Sequence, residues 1–207
     1  VVEYGDGIDA GVNLRVRLLH RAFGARRHAG IVETVPTYRS LMVHYDPLVL
    51  SNEALAQLIA EMADGLPEEA REPGRTVEIP VVYGGGAGPD LADVAALAGL
   101  DEAHVVALHA SGEYTVYMLG FMPGFPYLGG LPARIATPRL RSPRTVVPAG
   151  SVGIAGAQTG IYPAESPGGW RLIGRTPVAL FDTRRSPPTL LEAGDRVRFV
   201  PITPADS

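Results

Sequence analysis

Apolar positions recur along the first 83 residues with two different periods. Residues 1–4 are a short β-type run closed by Gly5-Asp6-Gly7. Val12, Val16, Leu19, Ala22 and Phe23 then return at helical spacing up to Gly24, with Asp9 or Asn13 placed to cap that helix. Ile31–Pro36 and Ser40–Tyr45 alternate like two strands of a hairpin or bulged pair, and Asp46-Pro47 closes the second. Ser51-Asn52-Glu53 opens another helix through Leu55, Leu58, Ile59 and Met62, which stops at Gly65. The polar stretch 67–75 reads as a linker, and residues 76–83 as a strand. Strand, helix, strand, strand, helix, strand is the ferredoxin-like order, so residues 1–83 are expected to form a two-layer α/β sandwich.

The texture changes after Tyr83. Gly84-Gly85-Gly86-Ala87-Gly88 leads into a helix opened by Pro89-Asp90 that runs through Val94 and Leu97 to Gly99. The turn superficially resembles a dinucleotide-binding one. It lacks the G-x-G-x-x-G register, however, and an aspartate at the helix start would repel a pyrophosphate, so Pro89 and Asp90 are read as ordinary helix-start residues. Asp101 to His104 carries a second capping signal ahead of Val105-Val106-Ala107-Leu108, a run that puts His109 at a strand end, and Tyr114–Leu119 alternates as a strand. Between Gly120 and Pro188 lie 11 of the 19 prolines and 11 of the 25 glycines, dividing short β-type runs at 145–147, 152–155, 170–173 and 178–181, with a further run at 196–200. Short strands with such dense punctuation predict a closed or nearly closed β-barrel over 84–207, entered for the last time by a tight turn at 192–197, with residues 204–207 frayed. The expected class is therefore α+β.

One stretch organises the second half: Gly120-Phe121-Met122-Pro123-Gly124-Phe125-Pro126-Tyr127-Leu128-Gly129-Gly130-Leu131. Glycines that permit positive φ and prolines that fix φ exclude regular structure, while the aromatics exclude a disordered linker. It is expected to be a shaped loop, plugging the barrel end, forming the wall of a ligand pocket, or both.

Composition narrows the chemistry. The chain has 207 residues, no cysteine and a net charge of -4, and all 18 of its basic residues are arginine. The absence of lysine excludes a P-loop phosphate lysine, a Schiff base and a biotinylated lysine within this chain, and the absence of cysteine excludes thiolate chemistry and cysteine-type metal sites. Its five histidines show no metal-ligand spacing, so no metal is expected. Without a long apolar run or a leader pattern, a cytoplasmic protein with no membrane contact is expected. Arg15, Arg21, Arg26 and Arg27 lack interleaved aromatics and read as a solvated face, not a nucleic-acid site.

Residues 134–185 hold eight arginines against only Glu165 and Asp182. Arginine forks grip carboxylates and phosphates, so a pocket they rim favours an anionic small molecule. Arg139 and Arg144 each follow a proline, which stiffens the backbone that aims them. Residues 147–153 offer candidate backbone donors and Gln158 an amide partner. Trp170 reads more as core than as ligand platform, and His109, just upstream of the organising loop, is the candidate proton-transfer group.

Together the segments 120–128, Pro143-Arg144, 147–152, 158–163 and Ser166-Pro167-Gly168-Gly169-Trp170, with Gly88-Pro89-Asp90 and His109, strongly resemble the KipI / allophanate hydrolase subunit 1 family, whose members are also described as B subunits of 5-oxoprolinase. The resemblance covers essentially the whole chain. It implies a ferredoxin-like domain at 1–83 followed by a cyclophilin-like β-barrel at 84–207. It also implies a shared site shaped by Arg139, Arg144, Gln158 and Trp170 with Phe121, Phe125 and Tyr127 as its apolar wall. The implied activity is ATP-dependent opening of 5-oxo-L-proline with two partners, a KipA-like protein (allophanate hydrolase subunit 2) and a LamB/YcsF-like protein, ATP being a substrate of the whole complex. Two other activities within the resemblance are inhibition of a sporulation-type histidine kinase and one half of a urea-carboxylase-like carboxyltransferase; a prolyl isomerase suggested by the barrel is the weakest reading.

Overall fold

The structure, a computed structural model, describes residues 1–7, 9–67 and 74–203, and the chain divides into two compact units, Val1–Glu72 and Pro73–Ser207. Positions 68–73 of the expected linker and the terminus 204–207 lie outside the described residues.

The first unit contains β1 (Val2–Glu3), α1 (Ala10–Ala25), β2 (Ile31–Pro36), β3 (Ser40–Tyr45) and α2 (Asn52–Asp64), with its strands in the antiparallel order β1-β3-β2. Period-2 alternation sends Leu41 and Val43 of β3 to the side where Val16, Leu19 and Phe23 of α1 and Leu55 of α2 arrive at helical spacing, and these form its core. Asp9 is the cap of α1, its carboxylate accepting from the backbone N–H groups of Gly11 and Val12 at 2.8 and 3.0 Å. Asn13, the alternative cap, is instead buried, and its amide donates to the carbonyls of Thr37 and Tyr38.

The second unit is a closed seven-stranded barrel in the order β11-β4-β12-β5-β6-β9-β8. Its strands are β4 (Thr76–Tyr83), β5 (Tyr114–Leu119), β6 (Pro126–Gly129), β8 (Ser151–Ala155), β9 (Gln158–Ile161), β11 (Arg171–Arg175) and β12 (Arg196–Pro201). A separate pair, β7 (Arg144–Val147) with β10 (Ser166–Gly168), and two helices, α3 (Leu91–Ala98) and α4 (Glu102–Ser111), complete it. Inward residues Ile79, Val81, Val116, Leu128, Ile154, Ile161, Ile173 and Phe199 meet Leu91, Val94 and Val105 of the helices in one core.

Four expectations change. The strand 76–83 is not the last strand of the N-terminal unit. It pairs in parallel with β12 from Thr76↔Arg196 to Val81↔Pro201, so the boundary expected after Tyr83 falls at Glu72 and the first unit holds five of the six ferredoxin-like elements. The run 105–108 is helical: Asp101 accepts from the His104 N–H at 2.8 Å, and this cap lets the apolar residues propagate as α4, which puts His109 in a helix. Within the organising loop only 120–125 and 130–131 are irregular, because residues 126–129 form β6 between β5 and β9. Conversely, 178–181 forms no strand and makes a single bridge, Phe181↔Thr189.

Candidate functional site

Strand alternation on β8 and β9 sends Val152, Ile154, Thr159 and Ile161 into the barrel and turns Gly153, Ala155, Gln158 and Gly160 outward. Gly153 and Gly160 are cross-strand partners, and the indole of Trp170 lies against them. A Cβ on Gly153 would stand 3.0 Å from Trp170 Cβ; one on Gly160 would stand 2.9 Å from the Pro126 carbonyl oxygen of β6, 3.0 Å from Trp170 Cζ3 and 3.1 Å from Phe125 Cζ. Glycine is required here for close approach, not for its backbone angles. A Gly160→Val substitution should therefore push the indole outward, with a stability loss of about 1–3 kcal/mol. Because Trp170 is the sole tryptophan, a red shift of its emission on substitution reads the displacement directly.

On this floor stands an aromatic cluster. Phe125 packs edge-on against Trp170 at 5.5 Å and Tyr162 at 5.2 Å between centroids, and lies 4.9 Å from Tyr127. Phe121, 62% exposed and held at φ +66°, stacks edge-on against Phe125 and Tyr162 from the solvent side. A bulky residue in the left-handed region is a strained conformation that the turn from Gly120 N–H to the Phe125 carbonyl must enforce. Tyr162 has a phenol raised above its ordinary pKa by burial, opposed by a hydrogen bond from the Trp170 backbone and by the charges of Arg139 and Arg144.

Arg139 places its guanidinium carbon 5.9 Å from the Trp170 ring centroid, a cation–π contact. Arg144 is held differently. Its Nη2 donates to Asp90 Oδ1 at 2.6 Å, while Asp90 Oδ2 accepts from the Leu172 N–H at 2.7 Å. The other amino group, Nη1, is buried with no hydrogen-bond partner among the described residues, and so is Nε2 of Gln158. Asp90 thus has a use other than starting a helix: its side chain makes no cap, and it is the counter-ion that aims Arg144. The remaining arginines of the basic stretch are partly accounted for elsewhere, Arg171 on Asp93, Arg184 on Asp182 and Arg185 on the Ala179 carbonyl.

Phe121, Phe125, Tyr127, Arg139 and Trp170 therefore converge, Arg144 joins them beside Tyr162, and Gln158 projects from the same outer face of β9. His109 does not join them. It is fully buried in the barrel, Thr159 Oγ1 donates its proton to the Gly153 carbonyl, and so His109 Nε2–H must donate to Thr159 while Nδ1 accepts from the Tyr83 hydroxyl at 2.7 Å. Burial lowers its pKa to about 3, which keeps the ring neutral; it is a structural hydrogen-bond bridge and not a proton shuttle. The expected backbone donors of 147–153 are also occupied in part, Gly150 N–H by the Tyr162 carbonyl and Ser151 N–H by that of Pro148. As site residues Asp90 and Tyr162 were missed: no local signal marks the pairing of Asp90 with Arg144, whereas Tyr162 alternates with Gln158 and Gly160. Among the described residues no group of three or more His, Cys, Asp or Glu is placed to hold a metal ion, and no helix is long and apolar enough to cross a membrane.

The family model described as carboxyltransferase domain, subdomain C and D, matches residues 1–191. The 5-oxoprolinase B subunit of Bacillus subtilis (strain 168) is 46% identical over 216 residues, covering 100% of this chain and 90% of that protein. The 5-oxoprolinase B subunit of Escherichia coli O157:H7 is 54% identical over 83% of this chain and 78% of its own length. The crystal structure of TTHA0988 matches with a TM-score of 0.86 at 43% identity over 97% of this chain, which spans only 39% of that longer protein.

Proposed function

The chain belongs to the carboxyltransferase subdomain C and D family, whose 5-oxoprolinase B subunits it resembles at 46–54% identity, and from that membership we propose that it is the B subunit of an ATP-dependent 5-oxoprolinase. The observation that carries the reading is this identity along nearly the full length of the Bacillus relative. The reaction opens a cyclic amide: phosphoryl transfer from ATP to the lactam oxygen releases ADP and activates the ring carbon, one water adds there and the C–N bond breaks to give an acyl phosphate with a free amine, and a second water hydrolyses that acyl phosphate to glutamate and phosphate. In this reading Arg144, with its unpaired Nη1, and Arg139 receive the 5-oxoproline carboxylate, while Phe125, Tyr162 and Trp170 cover the apolar edge of the ring. Gln158, with its own unpaired Nε2, is the amide's hydrogen-bond partner. The barrel is the cyclophilin-like domain of the family. The chain works in the cytoplasm with a KipA-like protein and a LamB/YcsF-like protein and is inactive alone, since a chain without lysine and, among the described residues, without a group of metal-ligating side chains supplies only part of a phosphoryl-transfer site.

The family's description favours one second reading, carboxyl transfer, in which the same arginines hold a carboxylate in transit and biotin is carried by another chain. One assay separates them. The purified complex should release glutamate from 5-oxoproline with ATP and without bicarbonate or biotin, and omission of this chain should abolish release. Turnover that persists without the chain, or that requires bicarbonate, would remove the oxoprolinase reading.

A further inference from the structure

A cleft of about 760 Å3 opens in the barrel unit between the glycine loop 84–87, residues 149–150 and the segment 175–179. None of Arg139, Arg144, Gln158 or Trp170 lines it. Its polar wall is sparse, and part of it has no hydrogen-bond partner among the described residues. Arg175 is anchored through Nε to the Ala149 carbonyl at 2.8 Å, which leaves both of its Nη groups without a partner among the described residues. Across the loop, the N–H groups of Gly84, Ala87 and Gly88 bond to backbone carbonyls, whereas those of Gly85 and Gly86 find no backbone carbonyl among the described residues. Gly84 and Gly85 have positive φ, but Gly86 does not, and a Cβ there would meet nothing within 4 Å. Neither packing nor backbone conformation calls for glycine at 86; an unobstructed approach of a ligand to the backbone does.

The objection to an anion at this loop was the aspartate that follows it. The structure removes the objection, because Asp90 is buried, paired with Arg144 and bonded to the Leu172 N–H, and does not line the cleft. The remaining walls are apolar, with Pro163, Pro177 and Val178 among them, and the volume far exceeds the needs of a small lactam.

We propose that this cleft receives a nucleoside triphosphate, with the Arg175 fork and the Gly85 and Gly86 N–H groups on phosphate oxygens and the proline–valine wall against the nucleoside. It shares no lining residue with the arginine–aromatic cluster but adjoins it along the chain, Pro163 of the cleft following Tyr162 of the cluster, as direct phosphoryl transfer to the lactam needs; it rests on the oxoprolinase reading only for why a nucleotide should be bound. Arginine does here what the missing lysine does in a P-loop.

The test is equilibrium binding of ATP to the assembled complex, with inorganic phosphate and 5-oxoproline as competing probes, for the parent and for Arg175→Gln and Gly86→Asp. Open space around Gly86 makes its variant compatible with the fold, and circular dichroism checks both. Each variant should weaken ATP binding and raise the KM for ATP by about tenfold or more, the loss of one charge-assisted contact or the gain of one repulsive charge, with the KM for 5-oxoproline unchanged. Parent affinity for ATP in both folded variants would overturn the proposal, as would ATP binding that 5-oxoproline competes away. Arg175-dependent ATP binding in a complex that releases no glutamate would instead overturn the oxoprolinase reading and uphold the cleft.

Discussion

An Asp90→Ala chain should unfold about 3 kcal/mol more readily than its parent in urea denaturation and lose most of its activity in the complex. Asp90 is 5% exposed and its carboxylate serves two partners, Arg144 Nη2 and the Leu172 N–H, so truncation orphans a buried backbone donor of β11 and a guanidinium beside it. Removing one partner of a buried pair typically costs about 3–5 kcal/mol, and the lower end applies because the Arg144 side chain is 30% exposed and water recovers part of the loss. Asp90→Asn keeps one acceptor, for Leu172, but loses the charge and sets an NH2 donor against the Arg144 guanidinium. It should retain more than half of the lost stability while still misdirecting Arg144, so the two variants separate folding from aim. By the same pairing, Arg144→Ala is not free of a stability cost, since it leaves the Asp90 charge with one partner.

The second large effect is at His109, and it is one of stability with no direct effect on chemistry. His109→Ala deletes a fully buried ring that packs 4.4 Å from Phe199 between centroids and leaves the Tyr83 hydroxyl without its acceptor. A loss of about 3–5 kcal/mol is expected from the cavity and the orphaned hydroxyl together. Protein that remains folded in a stabilising osmolyte should turn over at close to the parent rate, whereas a proton-transfer residue would reduce kcat by orders of magnitude. The same residue makes the barrel acid-sensitive. The folded pKa of about 3 lies below the ordinary value of 6.5, so the unfolded chain takes up the proton first as pH falls. The His109 contribution is therefore intact above pH 6.5 and declines between there and about pH 3, at roughly 1.4 kcal/mol per pH unit. His109→Ala should flatten that part of the stability profile.

These two residues also mark where the chain is legible and where it is not. Local signals carried far: the Asp9 and Ser51 caps, the left-handed Gly99 stop and the period-2 runs of β2, β3 and β5 appear where the spacing puts them. What is not local was hidden. β4 alternates like any strand, and nothing in residues 76–83 reveals that its parallel partner is β12, more than a hundred positions on. Val105 and Val106 favour a strand, and only the Asp101 cap and the packing of α4 on the barrel decide for a helix. Asp90 has the position of an N-terminal helix residue, so its pairing with Arg144, 54 positions away, could be read only from the folded chain. The aromatic loop was the clearest case of the opposite kind, because Phe125 closes a packed cluster while Phe121 faces solvent, and its composition demanded both.

The most direct test of the central claim asks whether Arg144 reads the substrate's carboxylate. The measurement is the ratio of kcat/KM for 5-oxoproline to that for 2-pyrrolidinone, the same lactam without the carboxylate, in the complex carrying this chain or its Arg144→Ala variant. The parent complex should prefer 5-oxoproline by roughly a hundredfold or more, as a charge-assisted contact to a desolvated carboxylate provides, and the variant should lose most of that preference while both folded complexes assemble. An undiminished preference in the Arg144→Ala complex would contradict the account.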